Sequence, residues 1–299
     1  MTSVLDRIPC GARAAVVRLR SLGDCVLTTP ALALLHEARP DLRIGVVVEP
    51  WLAPIFTYHP AVSDILPPAS LRAFRPHLCL NLHGGTRSAW LTATSGAPLR
   101  AGFEHFRFQP LYNVRIPKAQ AILGVNRTVH TAEHLASAVF FLGVSVVPVG
   151  RADLPVRAGR PRPASREYAV IHAFASSPEK TWPADRFLSL ARSLSSQLDI
   201  VFIGANNDDL SAFREFKIVQ GSDLETLKSL LSNASLFIGN DSGPAHMAAA
   251  LGIPVIVFWG NSNREIWGPW QAEHVLLPDL AHVSVETALD AVERLRVRA

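Results

Sequence analysis

Between Ile238 and Gly260 the chain reads IGNDSGPAHMAAALGIPVIVFWG: an apolar strand end, a cluster of capping residues, a helical run and a second apolar strand. Asn240, Asp241 and Ser242 are favoured N-cap types, and Pro244 suits a first helical turn, where its missing N–H costs nothing. The N–H groups left free at such a helix start, together with the partial positive charge of the helix end, select an anion, and phosphate is the natural guest. Asp241 and His246 then remain to meet sugar hydroxyls, while Gly243 lets the backbone approach the ligand closely. This pattern predicts a nucleotide site.

Two other loops offer reactive side chains. Ser21, Leu22, Gly23 and Asp24 follow the apolar run AAVVRL, which places them at the carboxyl end of a strand, where open α/β sheets collect ligands. Locally, Asp24 is equally suited to cap a helix beginning near Cys25. After the strand-like YAVIHAF comes ASSPEKTWP, with Ser176, Ser177 and Lys180. An isolated lysine is ordinarily solvated, but this is one of only four in an arginine-rich chain.

Taken together, the three stretches resemble the bacterial lipopolysaccharide heptosyltransferases, glycosyltransferase family 9. VVRLRSLGDCVLTTPALALLHEARPDLRIGVVVEP is similar to the family's opening strand, S-x-G-D loop and first helix, HAFASSPEKTWPADRFLSLARSL to its phosphate-side loop, and the 238–260 segment to its donor signature. The resemblance spans almost the whole chain in the expected order. It implies an inverting transferase that moves heptose from ADP-heptose to a lipid-linked, anionic inner-core saccharide. Asp24 matches the general base and Lys180 the cation beside the diphosphate, flanked by Ser176 and Ser177. Asp241, Ser242, Gly243 and His246 match the donor signature. Asp208 stands where the family usually has a ribose-binding Glu, and Ser21, Gly23 and Arg87 match acceptor-side positions. A diphosphate leaves as a weakly basic anion, so cations and N–H donors can replace the acid a glycosidase needs, and one carboxylate suffices. The same motifs are compatible with another nucleotide sugar, with a nucleotide-sugar epimerase, or with a binding protein that has lost catalysis.

The elements needed to hold these loops are legible around them. Apolar runs alternate with helical patterns throughout, which predicts parallel sheets of the βαβ kind. AAVVRL, PALALLHEAR and RIGVVV form a first unit, HLCLNL another strand, and HTAEHLASAVFFLG a helix ending at Gly143. The Pro-, Gly- and Arg-dense residues 151–166 read as a linker. Beyond it come YAVIHAF, the helix DRFLSLARSLSSQ, the strand DIVFIG, helix-forming residues near 208–216, ETLKSLLSNA and the donor segment. The expected organisation is an acceptor-binding Rossmann-like domain over 1–150 and a nucleotide-sugar-binding one over 167–299. The resemblance implies the GT-B fold, α/β with parallel sheets facing each other across a cleft, and a final helix VETALDAVERLRVR that returns to the first domain.

Composition narrows the function classes. The 299 residues suffice for two medium domains, and apolar runs are broken well short of the ~20 residues a membrane span needs. The first residues lack a secretory apolar core, so a cytoplasmic protein is expected, touching the inner membrane peripherally where its acceptor lies. Three cysteines without a C-x-x-C pair speak against a disulfide framework and a cysteine zinc site. The pair His130 and His134 in HTAEH lacks a third ligand, and no obligatory metal is expected. Residues 1–150 hold 14 Lys and Arg against 8 Asp and Glu, and residues 151–299 hold 15 against 17, so the first half is the basic one. Arg87, Arg100, Arg107, Arg115, Lys118 and Arg127 make an anionic partner plausible there, whereas no nucleic-acid module is present. Absence of G-x-G-x-x-G and of a P-loop removes the main sequence support for nicotinamide binding and phosphoryl transfer. The six tryptophans are expected mainly in cores, with Trp259, Trp267 and Trp270 bracing loops near the donor segment.

Overall fold

A computed structural model describes residues 3–156 and 167–298. The chain divides into two units, Met1–Pro155 and Val156–Ala299, each built on a six-stranded, all-parallel sheet. The division falls inside the expected linker, whose residues 157–166 lie outside the described residues.

The first sheet contains β1 (Arg13–Val17), β2 (Arg43–Val47), β3 (Asp64–Leu66), β4 (Leu78–Asn81), β5 (Leu99–Phe103) and β6 (Val114–Ile116), in the order β3-β2-β1-β4-β5-β6. Its helices are α1 (Leu22–Val26), α2 (Thr29–Ala38), α3 (Leu71–Phe74), α4 (Thr86–Thr94), α5 (Ala119–Leu123) and α6 (Thr131–Leu142). Strands β1, β2 and β4 are buried along nearly their whole length, as expected where helices cover both faces of a parallel sheet. Helix α6 starts with a capping box: His130 Nδ1 accepts from Ala132 N at 3.1 Å, and the Glu133 side chain returns to the His130 N–H. His134, one turn on, stacks on Phe103 with centroids 4.1 Å apart. The two histidines of HTAEH therefore serve a cap and a ring stack.

The second sheet contains β7 (Tyr168–His172), β8 (Asp199–Gly204), β9 (Lys217–Gln220), β10 (Leu236–Asn240), β11 (Val255–Trp259) and β12 (His274–Pro278), in the order β12-β11-β10-β7-β8-β9. With it come α7 (Ala184–Leu194), α8 (Leu224–Ser232), α9 (Gly243–Ala250), α10 (Arg264–Trp267) and α11 (Val285–Arg298). On α7, Phe187, Leu190, Ala191 and Leu194 recur at helical spacing and are buried. Phe187 meets Trp182 and Phe258 edge-on, and those two rings stack 4.0 Å apart. Ala288, Ala291, Val292 and Leu295 of α11 join the same core, and α11 packs on α7 and β12 of its own unit.

One sequence expectation is corrected. Residues 208–216 form no α-helix, only the single 3-10 turn Ser211–Phe213. Asp208 Oδ2 accepts from Ala205 N at 2.7 Å, and Gln220 Nε2 donates to the carbonyls of Ala205, Asn206 and Asp208. These bonds tie the segment into a tight turn that competes with helix.

Candidate active site

In the first unit the loops after β1, β2 and β4 carry the candidate residues. Arg18, just beyond β1, is buried, and its Nη2 lies 2.6 Å from Asp24 Oδ1. Its Nη1 donates to the Leu82 carbonyl beyond β4. Asp24 is the third residue of α1, whose N-cap is Ser21, so the helix begins one turn earlier than a cap at Asp24 would require. The local alternative for Asp24 is thereby overturned: the carboxylate is turned toward Arg18, and the Asp24 carbonyl accepts from Thr28 Oγ1 at 2.7 Å. Ser21 has φ +68°, a left-handed conformation that costs a non-glycine residue of the order of 1 kcal/mol or more. It swings the chain from strand into α1 and brings Asp24 back beside Arg18.

Beside this pair stands His83, after β4. Burial, and then the charges of Arg18 and Arg20, push its imidazole down to about 4, so it is neutral near pH 7. Gly84 takes φ +78°, and a Cβ there would meet the Phe106 ring at 2.6 Å. Arg87 forms an ion pair with Glu49, which follows β2. Among the other arginines of this half, Arg100 donates to the Leu111 and Ala97 carbonyls, and Arg127 grips Glu133 at 2.6 and 2.8 Å. Those two are structural.

In the second unit residues 238–260 form the expected strand, helix start and second strand. Strand β10 ends at Asn240, Ser242 is the N-cap of α9, and Pro244 is in its first turn. Ser242 makes no capping bond; its Oγ lies 3.1 Å from His172 Nδ1, at the end of β7. Burial pushes His172 down to about 4 against the opposing charge of Asp208, so the ring is a neutral partner for the hydroxyl. His246 is buried on the first turns of α9.

Lys180 closes the 3-10 turn Pro178–Lys180, with Ser177 as its N-cap. Its Nζ lies 3.4 Å from Asp241 Oδ2, which also accepts from Ser262 Oγ at 2.7 Å. The loop is fastened from behind. Trp182 N donates to Asn240 Oδ1 at 2.9 Å, Trp182 Nε1 donates to the Val283 carbonyl, and a Cβ on Gly260 would fall 2.7 Å from the Glu179 carbonyl oxygen. Ser176, Ser177, Thr181 and Trp182 line a cavity of about 480 Å³. Trp259 Nε1 donates to the Ser262 carbonyl and so braces the adjoining loop. Asp208 lies near His172 with its Oδ2 already engaged by its own turn.

Lys180, Asp241, Ser242 and His246 are thus brought together in one unit, and Ser21, Gly23 and Asp24 in the other. Sequence reasoning gave no role to Arg18, His172 or Ser262 and took Asn240 only as a helix-cap type. Arg18, His172 and Asn240 lie inside the quoted motifs, and the signal available for them was their position at or just past a strand end. Among the described residues no group of three or more His, Cys, Asp or Glu is arranged to hold a metal, and no helix is long and apolar enough to cross a membrane.

The family description glycosyltransferase family 9 (heptosyltransferase) matches residues 69–285. The chain belongs to glycosyltransferase family 9. Lipopolysaccharide heptosyltransferase 3 of Escherichia coli is 26% identical to this family 9 chain over 294 residues, covering 84% of each. Lipopolysaccharide heptosyltransferase 1 of Pseudomonas aeruginosa is 25% identical, over 89% of this chain and 83% of that protein. Among solved structures, the family 9 glycosyl transferase of Veillonella parvula superposes with a TM-score of 0.85 at 23% identity, covering 96% of this chain and 98% of that one. ADP-heptose heptosyltransferase II of E. coli gives 0.81 at 19% identity, covering 96% and 99%. The fold is the GT-B fold of these enzymes, and the protein is a glycosyltransferase. The family match starts after Asp24.

Proposed function

We propose that this enzyme transfers heptose from ADP-heptose to an anionic, lipid-linked inner-core saccharide, with inversion at the anomeric carbon. The observation that carries the reading is the orientation of Asp24: a carboxylate at the carboxyl end of the central strand, held by a buried arginine rather than spent on a helix cap. A general base must be fixed within hydrogen-bond reach of the proton it takes, and the Arg18 contact leaves the second carboxylate oxygen for an acceptor hydroxyl.

The second unit supplies the donor side. The N–H groups at the start of α9 and the Lys180 ammonium take the diphosphate, with Ser176 and Ser177 as further donors. Asp241 pairs with Lys180, and on this reading His246 and Asp208 meet sugar or ribose hydroxyls. As the glycosidic bond to the diphosphate breaks, charge grows on the departing phosphate, and the lysine stabilises it without acting as an acid. One direct displacement, with the acceptor oxygen attacking opposite the leaving group, inverts the centre. On this reading Arg87 serves the acceptor, and the protein works in the cytoplasm at the inner-membrane face.

The decisive experiment is ADP release from ADP-heptose with and without a deacylated, phosphorylated inner-core acceptor, beside Asp24→Ala. Acceptor-dependent release abolished by the substitution is the expected result. Tight ADP binding with no release under any acceptor would overturn the proposed donor sugar or acceptor while leaving the donor site.

A further inference from the structure

Two of the six tryptophans are neither in a core nor near the donor loops. Trp51 and Trp90 are each 57% exposed, and both belong to the first unit. Trp51 lies in the 3-10 segment Pro50–Ile55, whose Leu52 and Ile55 are buried and anchor it. Trp90 lies on α4, whose Ser88, Ala89 and Thr92 face inward, so Trp90 shares the outward face with Arg87 one turn before it. The Arg87–Glu49 ion pair joins the two elements at their amino-terminal ends. The rings are therefore presented on fixed supports that follow β2 and β4, the two neighbours of β1, at the carboxyl end of the sheet that carries Asp24. Large, exposed indoles on short ordered elements are costly in water and are the side chains most at home at a membrane–water interface, apolar over the ring and polar at the N–H.

The charges at that end of the sheet have a matching sign. Within the loops that follow the first sheet's strands, Arg18 is neutralised by Asp24 and Arg87 by Glu49. Arg20 after β1, Arg107 after β5 and Lys118 after β6 are exposed, and Glu104 opposes them. An end of the sheet that carries net positive charge and two exposed indoles complements an anionic lipid headgroup layer.

We propose that Trp51 and Trp90 seat the first unit on an anionic bilayer, inserting at headgroup depth beside the entrance to the Asp24 loop. The inference rests on the reading that the acceptor is lipid-linked, and gives the surface that meets the lipid it is embedded in. Two indoles with a few basic side chains give reversible attachment, suited to an enzyme that must leave after each acceptor.

The test uses the full chain and its Trp51→Ser/Trp90→Ser double variant in co-sedimentation with phosphatidylglycerol–phosphatidylcholine vesicles and with phosphatidylcholine alone. Wild type should bind the anionic vesicles, more weakly as salt rises, with its fluorescence quenched by brominated acyl chains. The double variant should partition at least about tenfold more weakly and lose that quenching. Its ADP release with a deacylated, water-soluble acceptor should match wild type, and circular dichroism should show the same fold. Equal binding by both proteins, or no vesicle binding by wild type, would overturn the proposal. So would equal losses on soluble and vesicle-borne acceptors, which would place the indoles in the saccharide site. If wild type releases no ADP with any acceptor but still binds vesicles through these residues, the proposed transfer reaction fails and the membrane surface stands.

Discussion

Replacing Arg18 by Met should loosen the first unit and slow turnover together. Arg18 and Asp24 have side chains only 7% and 16% exposed, which puts their pair nearer the buried regime, where removal of one partner costs about 3–5 kcal/mol, than the surface regime of about 0–1 kcal/mol. Methionine keeps the apolar stem but abandons both the carboxylate and the Leu82 carbonyl, leaving two acceptors without a donor. Amide exchange along β1 and β4 should accordingly lose about 3–5 kcal/mol of protection. With its carboxylate no longer held, the base is misplaced, and kcat should fall about a hundredfold with soluble acceptor. Asp24→Asn weights the two effects differently: its amide oxygen can still accept from Arg18 but leaves that guanidinium's charge uncompensated, so protection should fall by less than in Arg18→Met, while turnover falls about 10²–10⁴-fold with loss of the base. Wild-type protection and kcat within twofold in Arg18→Met would refute the reasoning. Near-normal turnover in Asp24→Asn would remove Asp24 as the base.

Lys180→Ala should cost about 2–4 kcal/mol of transition-state stabilisation, read in steady-state kinetics mainly as kcat, and a change confined to KM would reassign the lysine to ground-state binding. Asn240→Ala leaves the buried Trp182 N–H unpaired and should lower stability by about 1–3 kcal/mol, measurable by urea titration, with weaker ADP binding as the Lys180 loop detaches. Gly260→Ala should weaken ADP binding in calorimetry, because the new methyl meets the Glu179 carbonyl oxygen and, at 2.9 Å, the Lys180 Cα. For His172, the folded pKa near 4 lies below the unfolded value of 6.5, so the unfolded chain binds the extra proton as pH falls between them. Its contribution is complete above about 6.5 and is lost on acidification to about 4, of the order of 3 kcal/mol; His172→Gln should flatten that part of the stability–pH curve.

What could be foreseen depended on how local the signal was. The donor segment was legible because cap residues, Pro244 and the flanking apolar runs all act within a few positions of one another. The alternation of strands and helices gave the α/β class for the same reason. Strands β3, β5, β6, β9 and β12 were missed: β3, β6 and β9 are three or four residues long and mostly half-buried or alternating, too short to show a period, while β5 is interrupted by Arg100 and Gly102 and β12 runs from His274 to Pro278. Arg18 reads as a solvated residue past a strand, and its burial is decided by a carbonyl 64 positions away. Asp208 was foreseen as a ligand-side acid, but its helix was not formed, since Gln220 supplies the competing bonds from the next strand. Trp51 and Trp90 were expected in cores because nothing in their neighbours says that Leu52, Ile55 and Ala89 take the inward positions.

The strand orders also bear on how the protein is made. In each sheet the strand that leaves the ribosome first, β1 or β7, occupies an interior position, with the strands made just after it, β2 or β8, at its side. Later strands add outward, and no strand of one sheet waits for a partner from the other. At about 5–20 residues per second, translation of the residues after Pro155 occupies roughly 7–30 s, longer than a domain of this kind ordinarily needs to fold. The nascent chain can therefore complete its first unit while the second is still being synthesised, and exposed parallel strands never have to be stored in number.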